Sequence, residues 1–280
     1  MTTIQCRKRL EVNVLAAALL AAAMFAAPIV HAQIVPPAEM QDVDMVGLGI
    51  GSAPDFMGSS HNKAGAAPIF RYQFPGMQRY ILWLGPQLQI NLVDDSAWRF
   101  GPIVNYRFRR DSGVDDQTVK RMVPIDGKAE GGLFLQYNYK LSQAPMHQLV
   151  FSGDVEGSSF GTVGNLKFMW WKPLRQTTVL NLGFGATYGN NRWTNTYFGI
   201  TNPADIVLYP SLAGRPYNAG GGVKGGNVIL GLSQALTREW LLSGGVRYEQ
   251  LQGDAKDSPI VTQHGKSSQA VYGIGITYMF

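Results

Sequence analysis

The last twelve residues of the chain alternate between apolar side chains and side chains that are mostly small or polar. Counted back from the C-terminus, every second residue is apolar or aromatic: Phe280, Tyr278, Ile276, Ile274, Tyr272 and Ala270. A period of two places one set on each face of a β-strand. An oily strand with an open edge is a hazard in water, whereas a closed transmembrane barrel needs such strands. The stretch therefore favours a transmembrane β-barrel over a soluble sandwich.

The N-terminal segment has the layout of a secretory signal peptide. Residues 7–9 are basic, residues 12–27 are an apolar run broken by one asparagine, and residues 30–32 fit a small-x-small cleavage site. The alternative is a membrane anchor, but the run falls short of the ~20 residues that span a bilayer. We therefore predict a cleaved signal peptide at residues 1–32 and one barrel domain at residues 33–280.

Cysteine and charge content exclude several classes of protein. Cys6 is the only cysteine, and it lies inside the predicted signal peptide, so the barrel would contain neither disulfides nor thiol sites. The calculated pI is near 9.3 with a net charge of +5, but the basic residues are scattered. Nucleic-acid binding needs a basic patch or stripe, so we predict no nucleic-acid partner.

Period-two alternation recurs along the rest of the chain. We predict strands at residues 43–52, 66–74, 79–93, 98–109, 131–140, 149–157, 164–172, 177–188, 228–236, 240–250 and 269–280. Gly85 and Pro86 divide the third segment, because a central strand does not easily accept an internal proline. The expected fold is all-β, an antiparallel outer-membrane barrel of twelve strands. Ten strands is the alternative if a weak early pair is misread.

The connections between these strands alternate in length. Long loops are expected at residues 53–65, 110–127, 189–222 and 253–267, with short links at the other end. Long extracellular loops and short periplasmic turns are typical of bacterial outer-membrane barrels. The pattern places both chain termini in the periplasm.

The predicted inward face carries charges of both signs. We expect the interior to hold Arg99, Arg107, Asp154, Glu156, Lys167, Arg247 and Glu249, and Arg109 lies on the same predicted face. One interpretation is an ion-selective pore. The other is a narrow barrel that fills its interior with paired charges, because an unpaired charge there is costly. The balance of signs argues against strong ion preference under either interpretation.

Catalytic signatures are weak in this sequence. Three histidines follow the predicted signal peptide, and only His264 lies near both serine and aspartate, namely Asp254, Asp257 and Ser258. The motifs of zinc proteases, serine hydrolases, phosphate-binding loops and CxxC sites do not occur. We predict no enzymatic activity, no metal and no cofactor.

Four short segments in the predicted loops resemble motifs of the MipA/OmpV family of outer-membrane proteins. The first resembles the family's P-D-Y-x-G-S, with Phe56 in place of tyrosine; the others resemble its YFGV, Y-x-A-G-G-G and GDAAxSPIV. The matched residues are Pro54, Asp55, Phe56, Gly58, Ser59, Tyr197, Phe198, Gly199, Gly253, Asp254, Ser258 and Pro259, together with residues 217–222. Gly275, Tyr278 and Phe280 also resemble the C-terminal signal read by the bacterial barrel-assembly machinery.

This resemblance implies a lipid-embedded barrel in the outer membrane of a Gram-negative bacterium. It also implies a scaffold that bridges a membrane-bound lytic transglycosylase and a bifunctional penicillin-binding protein during peptidoglycan remodelling. No catalytic residue of the family maps onto the chain. Two other functions stay open: a narrow channel for small solutes, and a surface adhesin that uses loops 189–222 and 253–267.

Overall fold

The computed structural model describes residues 43–144 and 146–280, so the predicted signal peptide lies outside the described residues. Within this part of the chain, twelve antiparallel strands form one closed barrel. Their bounds are β1 Met45–Pro54, β2 Asn62–Gln73, β3 Tyr80–Leu84, β4 Gln87–Asn91, β5 Trp98–Arg107, β6 Lys128–Lys140, β7 Gln148–Ser158, β8 Gly161–Arg175, β9 Thr178–Gly189, β10 Gly222–Ala235, β11 Trp240–Leu251 and β12 Ser268–Met279. The prediction of twelve strands is confirmed, and ten is wrong.

The first and last strands close the barrel. β1 pairs with β12 in a continuous register from Met45 opposite Met279 to Ser52 opposite Tyr272. Closure gives backbone groups partners that lipid cannot supply, and for this reason only helices and closed barrels span membranes. No helix in the described part of the chain is both long and apolar enough to cross a membrane.

The outer surface is apolar around the barrel. Exposed side chains on the strands include Ile50, Leu133, Val155, Leu166, Phe184, Leu230 and Ile274. Aromatic pairs lie at the end that carries the chain termini: the rings of Trp98 and Tyr137 are 4.7 Å apart, and those of Trp240 and Tyr278 are 5.1 Å apart. An apolar band with an aromatic girdle is the lipid-facing surface of an outer-membrane barrel.

The two ends of the barrel differ in their connections. Short turns at residues 74–79, 92–97, 176–177 and 236–239, and the short link from β6 to β7, lie at the end with the termini, which is the periplasmic end in such barrels. The other end carries tight turns at 85–86 and 159–160 and four long connections at 55–61, 108–127, 190–221 and 252–267. We call these four connections together the cap.

The cap is folded, and two of its connections, 190–221 and 252–267, are not the plain long loops that the sequence predicts. They contain four short helices, α1 Asn191–Phe198, α2 Pro203–Ile206, α3 Gly253–Asp257 and α4 Pro259–His264. Side chains of Asn190, Asn202 and Ser258 cap the helices α1, α2 and α4. Helices this short are held by tertiary packing rather than by their own periodicity, and the sequence therefore gives little sign of them.

Two apolar clusters hold the cap together. One joins Trp193, Tyr197 and Phe198 of α1 to Val163 of the barrel wall and to Val261 of α4. The other draws on all four connections and consists of Phe56, Val114, Val119, Met122, Ile200, Tyr209 and Ile260. The cap therefore has a core of its own.

A second apolar layer fills the barrel interior toward the periplasmic end. It comprises Met45, Ile69, Tyr80, Leu82, Leu84, Val150, Met169, Trp171 and Ile229, and Trp171 has no exposed surface. These side chains point inward from the same strands that present apolar side chains to lipid. Charged and polar groups occupy the space between this layer and the cap.

Candidate functional site

A network of paired charges lies inside the barrel directly beneath the cap. Arg107 Nε contacts Glu130 Oε2 at 2.6 Å, and its Nη2 lies 3.6 Å from Glu156 Oε2. The side chains of Glu130 and Glu156 are almost completely buried. A buried carboxylate is stable only with a cation or hydrogen-bond donors beside it, and Arg107 serves both of these.

Further pairs continue around the inner wall. Lys224 Nζ lies 2.6 Å from Glu249 Oε1, and Arg247 Nη2 lies 3.6 Å from the other oxygen of Glu249. Nearer the middle of the barrel, Lys167 Nζ lies 3.9 Å from Asp154. Each of these cations has an acidic partner within 4 Å, so the interior is close to electrically neutral. A neutral interior does not favour ions of one sign over the other.

Trp193 of α1 connects the cap to this network. Its indole Nε1 donates a hydrogen bond of 2.9 Å to Glu130 Oε1. The guanidinium carbon of Arg107 and the Nζ of Lys224 lie 5.7 and 5.9 Å from its ring centroid, within cation–π range. Gly189 makes room for the indole, because a Cβ there would lie 2.7 Å from the ring.

Most of the charges expected in the interior are found together there. Arg107, Asp154, Glu156, Lys167, Arg247 and Glu249 line a single cavity in the barrel. Arg99 is buried elsewhere, near the periplasmic end, where its guanidinium donates to the carbonyls of Asp95 and Trp98. The prediction that Arg109 faces the interior is wrong. Arg109 follows the end of β5, its side chain is exposed, and it pairs with Asp111 at 2.8 Å.

Three members of the network, Glu130, Lys224 and Trp193, were not predicted from the sequence. Glu130 precedes the predicted start of its strand, although extending the alternation backward from Phe134 by twos reaches it. Lys224 has the parity of the lipid-facing Val228, but a register shift between Val223 and Gly225 turns it inward. Such bulges re-aim side chains without a clear sequence signal. Trp193 lies in a connection whose fold the sequence did not reveal.

The first family-like motif fastens the β1–β2 connection. Pro54 ends β1, and Asp55 Oδ2 accepts a hydrogen bond of 2.8 Å from Asp115 N. Gly58 has φ of 93°, and its amide donates to Gln269 Oε1 on β12 at 3.1 Å. Buried Ser59 accepts from His61 N at 2.9 Å, while Phe56 enters the second apolar cluster.

The remaining motifs fasten the helices of the cap. Ser258 caps α4, which begins at Pro259, and its hydroxyl donates to Phe198 O at 2.6 Å. Asp254 accepts from Tyr217 Oη through its carbonyl at 2.7 Å and from Gly220 N through its carboxylate at 2.6 Å. Two glycines of these motifs have separate roles. Gly253 has φ of 54°, and Gly199 follows α1, where a side chain would collide with Asn195.

Tyrosines in the cap are held in the neutral form. Burial raises the pKa of Tyr217 to about 12, and the nearby Asp254 acts in the same direction. Burial also raises the pKa of Tyr197, which is near Glu130, and the pKa of Tyr209. In contrast, burial lowers the pKa of Arg110, whose guanidinium donates to Tyr197 O.

The geometry around His264 does not assemble a nucleophile. His264 Nδ1 lies 3.4 Å from Asp116, and its ring packs edge-on against Tyr209. Ser258 is fully buried, with its hydroxyl bonded to Phe198 O. In the part of the chain that the structure describes, no group of three or more His, Cys, Asp or Glu side chains is arranged to hold a metal ion.

The residues of the expected assembly signal lie at the barrel seam and its periplasmic end. Gly275 pairs with Gly49 across the seam between β12 and β1. Tyr278 packs on Trp240 in the aromatic girdle, and Phe280 follows β12 with its side chain half exposed. Recognition by an assembly machine remains a prediction.

Solved outer-membrane structures share the general form of the chain at low identity. The NanC porin is 8% identical with a TM-score of 0.45, over 84% of this chain and 98% of that one. An outer-membrane channel of Pseudomonas putida F1 is 12% identical with a TM-score of 0.49, over 88% and 100%. The translocator domain of the autotransporter NalP from Neisseria meningitidis is 13% identical with a TM-score of 0.40, over 85% and 88%.

Sequence comparison is more specific. Among curated proteins, none matches the chain. The family model described as MltA-interacting protein MipA matches residues 46–280, which is nearly all of the barrel. The chain is therefore an outer-membrane barrel that belongs to the MipA family.

Proposed function

We propose that the chain is a non-catalytic scaffold in the outer membrane that binds a lytic transglycosylase. The observation that favours this role is an interior filled from both ends. A filled barrel transports nothing through its interior, so its function depends on contacts made by its surface. The family description supplies the partner, since MltA-interacting proteins are named for that contact. A penicillin-binding protein would join the same assembly, so that cleavage and synthesis of peptidoglycan occur side by side.

The filled interior argues against the channel alternative. The apolar layer around Trp171 obstructs the periplasmic half, and the clusters of the cap cover the other end. Between them, the paired charges are joined to the cap by Trp193. Conduction would require displacement of a folded cap with its own core.

The periplasmic end is large enough for a stable contact if most of it is used. Twelve strands about 4.8 Å apart, tilted by about 40°, form a backbone cylinder of roughly 12 Å radius. Side chains enlarge this end to roughly 900 Å², against the ~800 Å² that each partner buries in a typical specific complex. Several turns must therefore contribute together.

Site-specific photocrosslinking tests the scaffold. A photoreactive amino acid is placed at Leu141 or Arg238 in the periplasmic turns, or at Val207, which is 80% exposed on the cap. In living cells, Leu141 and Arg238 are expected to crosslink to the lytic transglycosylase, while Val207 does not. Absence of that enzyme from every periplasmic adduct would refute the proposal.

Planar-bilayer conductance tests the alternative. The intact barrel is expected to show no steady openings. Openings that Arg107 or Glu249 substitutions abolish would instead support transport. For the adhesin alternative, variants with altered exposed cap residues such as Val207 should lose cell binding while the barrel stays folded.

A further inference from the structure

The barrel wall is uneven in height. β3 and β4 each have five residues and join at the tight turn Gly85–Pro86, whereas the neighbouring β2 has twelve and β5 has ten. β3 pairs with β2 only from Ile69 to Gln73, and the last bond at this edge runs from Gly85 N to Pro68 O at 2.9 Å. Among the described strands, none pairs with residues 62–67 of β2 on this side.

This low section of wall lies at membrane depth. Five residues at about 3.3 Å each and a tilt of about 40° rise roughly 13 Å, about half of the ~25 Å apolar band of such barrels. The side chains beside it that face lipid are apolar: Ala64 and Ala66 on β2, and Val104 and Tyr106 on β5. The section therefore faces hydrocarbon.

The cap closes the low section from above and makes it a window. Lys63 on β2 bonds to Gly113 O and lies 3.9 Å from Asp115, while Asp115 N donates to Asp55 at 2.8 Å. The window is bounded by the 85–86 turn below, by β2 and β5 at the sides, and by residues 111–115 above.

A cavity with a polar and a more apolar compartment lies inside the barrel, behind the 85–86 turn. Its polar compartment is lined by Pro86, Gln87, Asn105, Arg107, Asn227 and Arg247. Its second compartment, deeper toward the periplasm, is more apolar, and it is lined by Leu82, Leu84, Ile103, Phe134 and Met169 together with Gln89, Gln136 and Ser152. Gln87, Asp154, Lys167 and Ile229 line both compartments, so the two adjoin.

The polar compartment contains hydrogen-bonding groups without partners. Asn105 is 7% exposed, and its Oδ1 has no hydrogen-bond partner among the described residues; the same holds for Asn227 Oδ1 and for Arg247 Nε. Buried polar groups are normally satisfied by protein or by ordered water, so these atoms are free to bond to water or to a polar group of a ligand. The cations of this compartment already have acidic partners, which disfavours a ligand with net charge.

Size limits the ligand further. The two compartments hold about 70 and 80 Å³. Together they are comparable to the ~150 Å³ cavity that accommodates benzene in an engineered protein core. A full lipid does not fit, whereas one aromatic ring or a short alkyl chain with a polar group does.

We infer that the barrel binds a small uncharged amphiphile, of the size of a phenol or short-chain alcohol, which enters from the membrane through this window. The hydroxyl donates to Asn105 or Asn227, and the apolar part lies against Ile103, Phe134 and Met169. The site is independent of the scaffold role, because it opens into the outer half of the membrane, beyond reach of a periplasmic enzyme.

A second copy of the chain does not account for the open β2 edge. Two barrels in one membrane are related by an axis along the membrane normal, so their β2 strands would run in the same sense and cross at about twice the ~40° tilt. Strands crossing at that angle cannot form a ladder. A second copy therefore does not fill the window, which stays free for the entry of a small ligand.

The binding test uses fluorine NMR on the barrel in lipid nanodiscs with 4-fluorophenol as the probe. A saturable bound signal is expected, displaced by hexanol and absent with 4-fluorobenzoate. Ser152→Phe, which fills the apolar compartment, should weaken binding at least about tenfold. Val155→Phe on the lipid face is the matched control and should bind as the unmodified barrel does.

The route is tested with a single cysteine at Gln87, since Cys6 is the only native cysteine. A membrane-partitioned maleimide should label Gln87→Cys at least about tenfold faster than a sulfonated, water-soluble one. Asn138→Cys, buried near the periplasmic end, should resist both reagents. Faster labelling by the water-soluble reagent would overturn the window, and binding unchanged by a folded Ser152→Phe or Ser152→Leu variant would overturn the site.

Discussion

Trp193 Nε1 and Glu130 Oε1 are 2.9 Å apart, and this hydrogen bond joins the cap to the barrel wall. Both side chains are completely buried. Glu130 also binds Arg107 through its second oxygen, so one carboxylate links an α-helix of the cap to two strands. The contact explains how short connecting helices stay fixed over the interior.

Replacing Trp193 by phenylalanine should therefore destabilise the barrel. The change keeps an aromatic ring but removes the indole N–H, which leaves a buried carboxylate oxygen without its donor. The expected loss is about 1–3 kcal/mol in the free energy of unfolding. Urea unfolding in micelles, followed by circular dichroism, measures it. Trp98→Phe on the lipid face is the control, and equal losses in both variants would contradict the assigned role.

Lys224 and Glu249 should behave as a coupled pair. Lys224→Met removes the nearest cation from a buried carboxylate and is expected to cost about 3–5 kcal/mol, the range for breaking a buried pair. Glu249→Gln added to Lys224→Met should recover part of that loss, because no buried charge is then left uncompensated. A double-mutant cycle from urea unfolding gives the coupling. Additive effects would mean that the 2.6 Å contact is not energetically important.

Gly47 should be intolerant of a side chain at the seam. A Cβ there would overlap the carbonyl oxygen of Ile276 and lie 2.9 Å from Thr277 Cα, both of which belong to the backbone of β12. Gly47→Ala should therefore destabilise closure by about 1–3 kcal/mol. Resistance of the folded barrel to SDS at increasing temperature is the readout. Gly131→Ala, where nothing lies within 4 Å of the new Cβ, is the control and should match the unmodified barrel.

The cap should loosen at high pH through Tyr217. Its pKa is raised from near 10 to about 12 by burial, so its contribution is fully present below pH 10 and is lost as the pH rises toward 12. Ionisation also ends the donation from Tyr217 Oη to Asp254 O. Limited proteolysis of the cap between pH 9 and pH 12 should show a smaller pH-dependent increase in Tyr217→Phe. Identical profiles for the two proteins would contradict this assignment.

The number of strands, and which side chains face lipid, could be predicted from the sequence. A strand has only two faces, so alternating hydrophobicity both marks the strand and assigns its side chains. In β6, the exposed Leu133 and Leu135 and the buried Phe134 and Gln136 lie as their alternation predicts. A central proline beside glycine was enough to place the β3–β4 turn. Strand ends were less predictable: β6 begins at Lys128 rather than residue 131, because the small side chains of Ala129 and Gly131 give little hydrophobic contrast there.

The candidate site was predicted only in part. Alternation brought Arg107, Glu156 and Glu249 to the same interior, but it did not indicate which charges pair. Lys224 reaches Glu249 through a local bulge, and Trp193 reaches Glu130 from a helix 63 residues away in the chain. Both contacts depend on three-dimensional closure, which a short sequence window does not contain.

Period-two hydrophobicity alone determined a closed barrel with an apolar exterior and a charged interior. Lipid requires apolar side chains on one face of each strand, and the backbone groups require hydrogen-bond partners that only a closed sheet provides. Tertiary structure alone decided that the long connections fold into a cap, that opposite charges meet beneath it, and that the wall is low at β3 and β4. These features depend on contacts between residues distant in the chain, whose free energy is realised only once the barrel has brought them together.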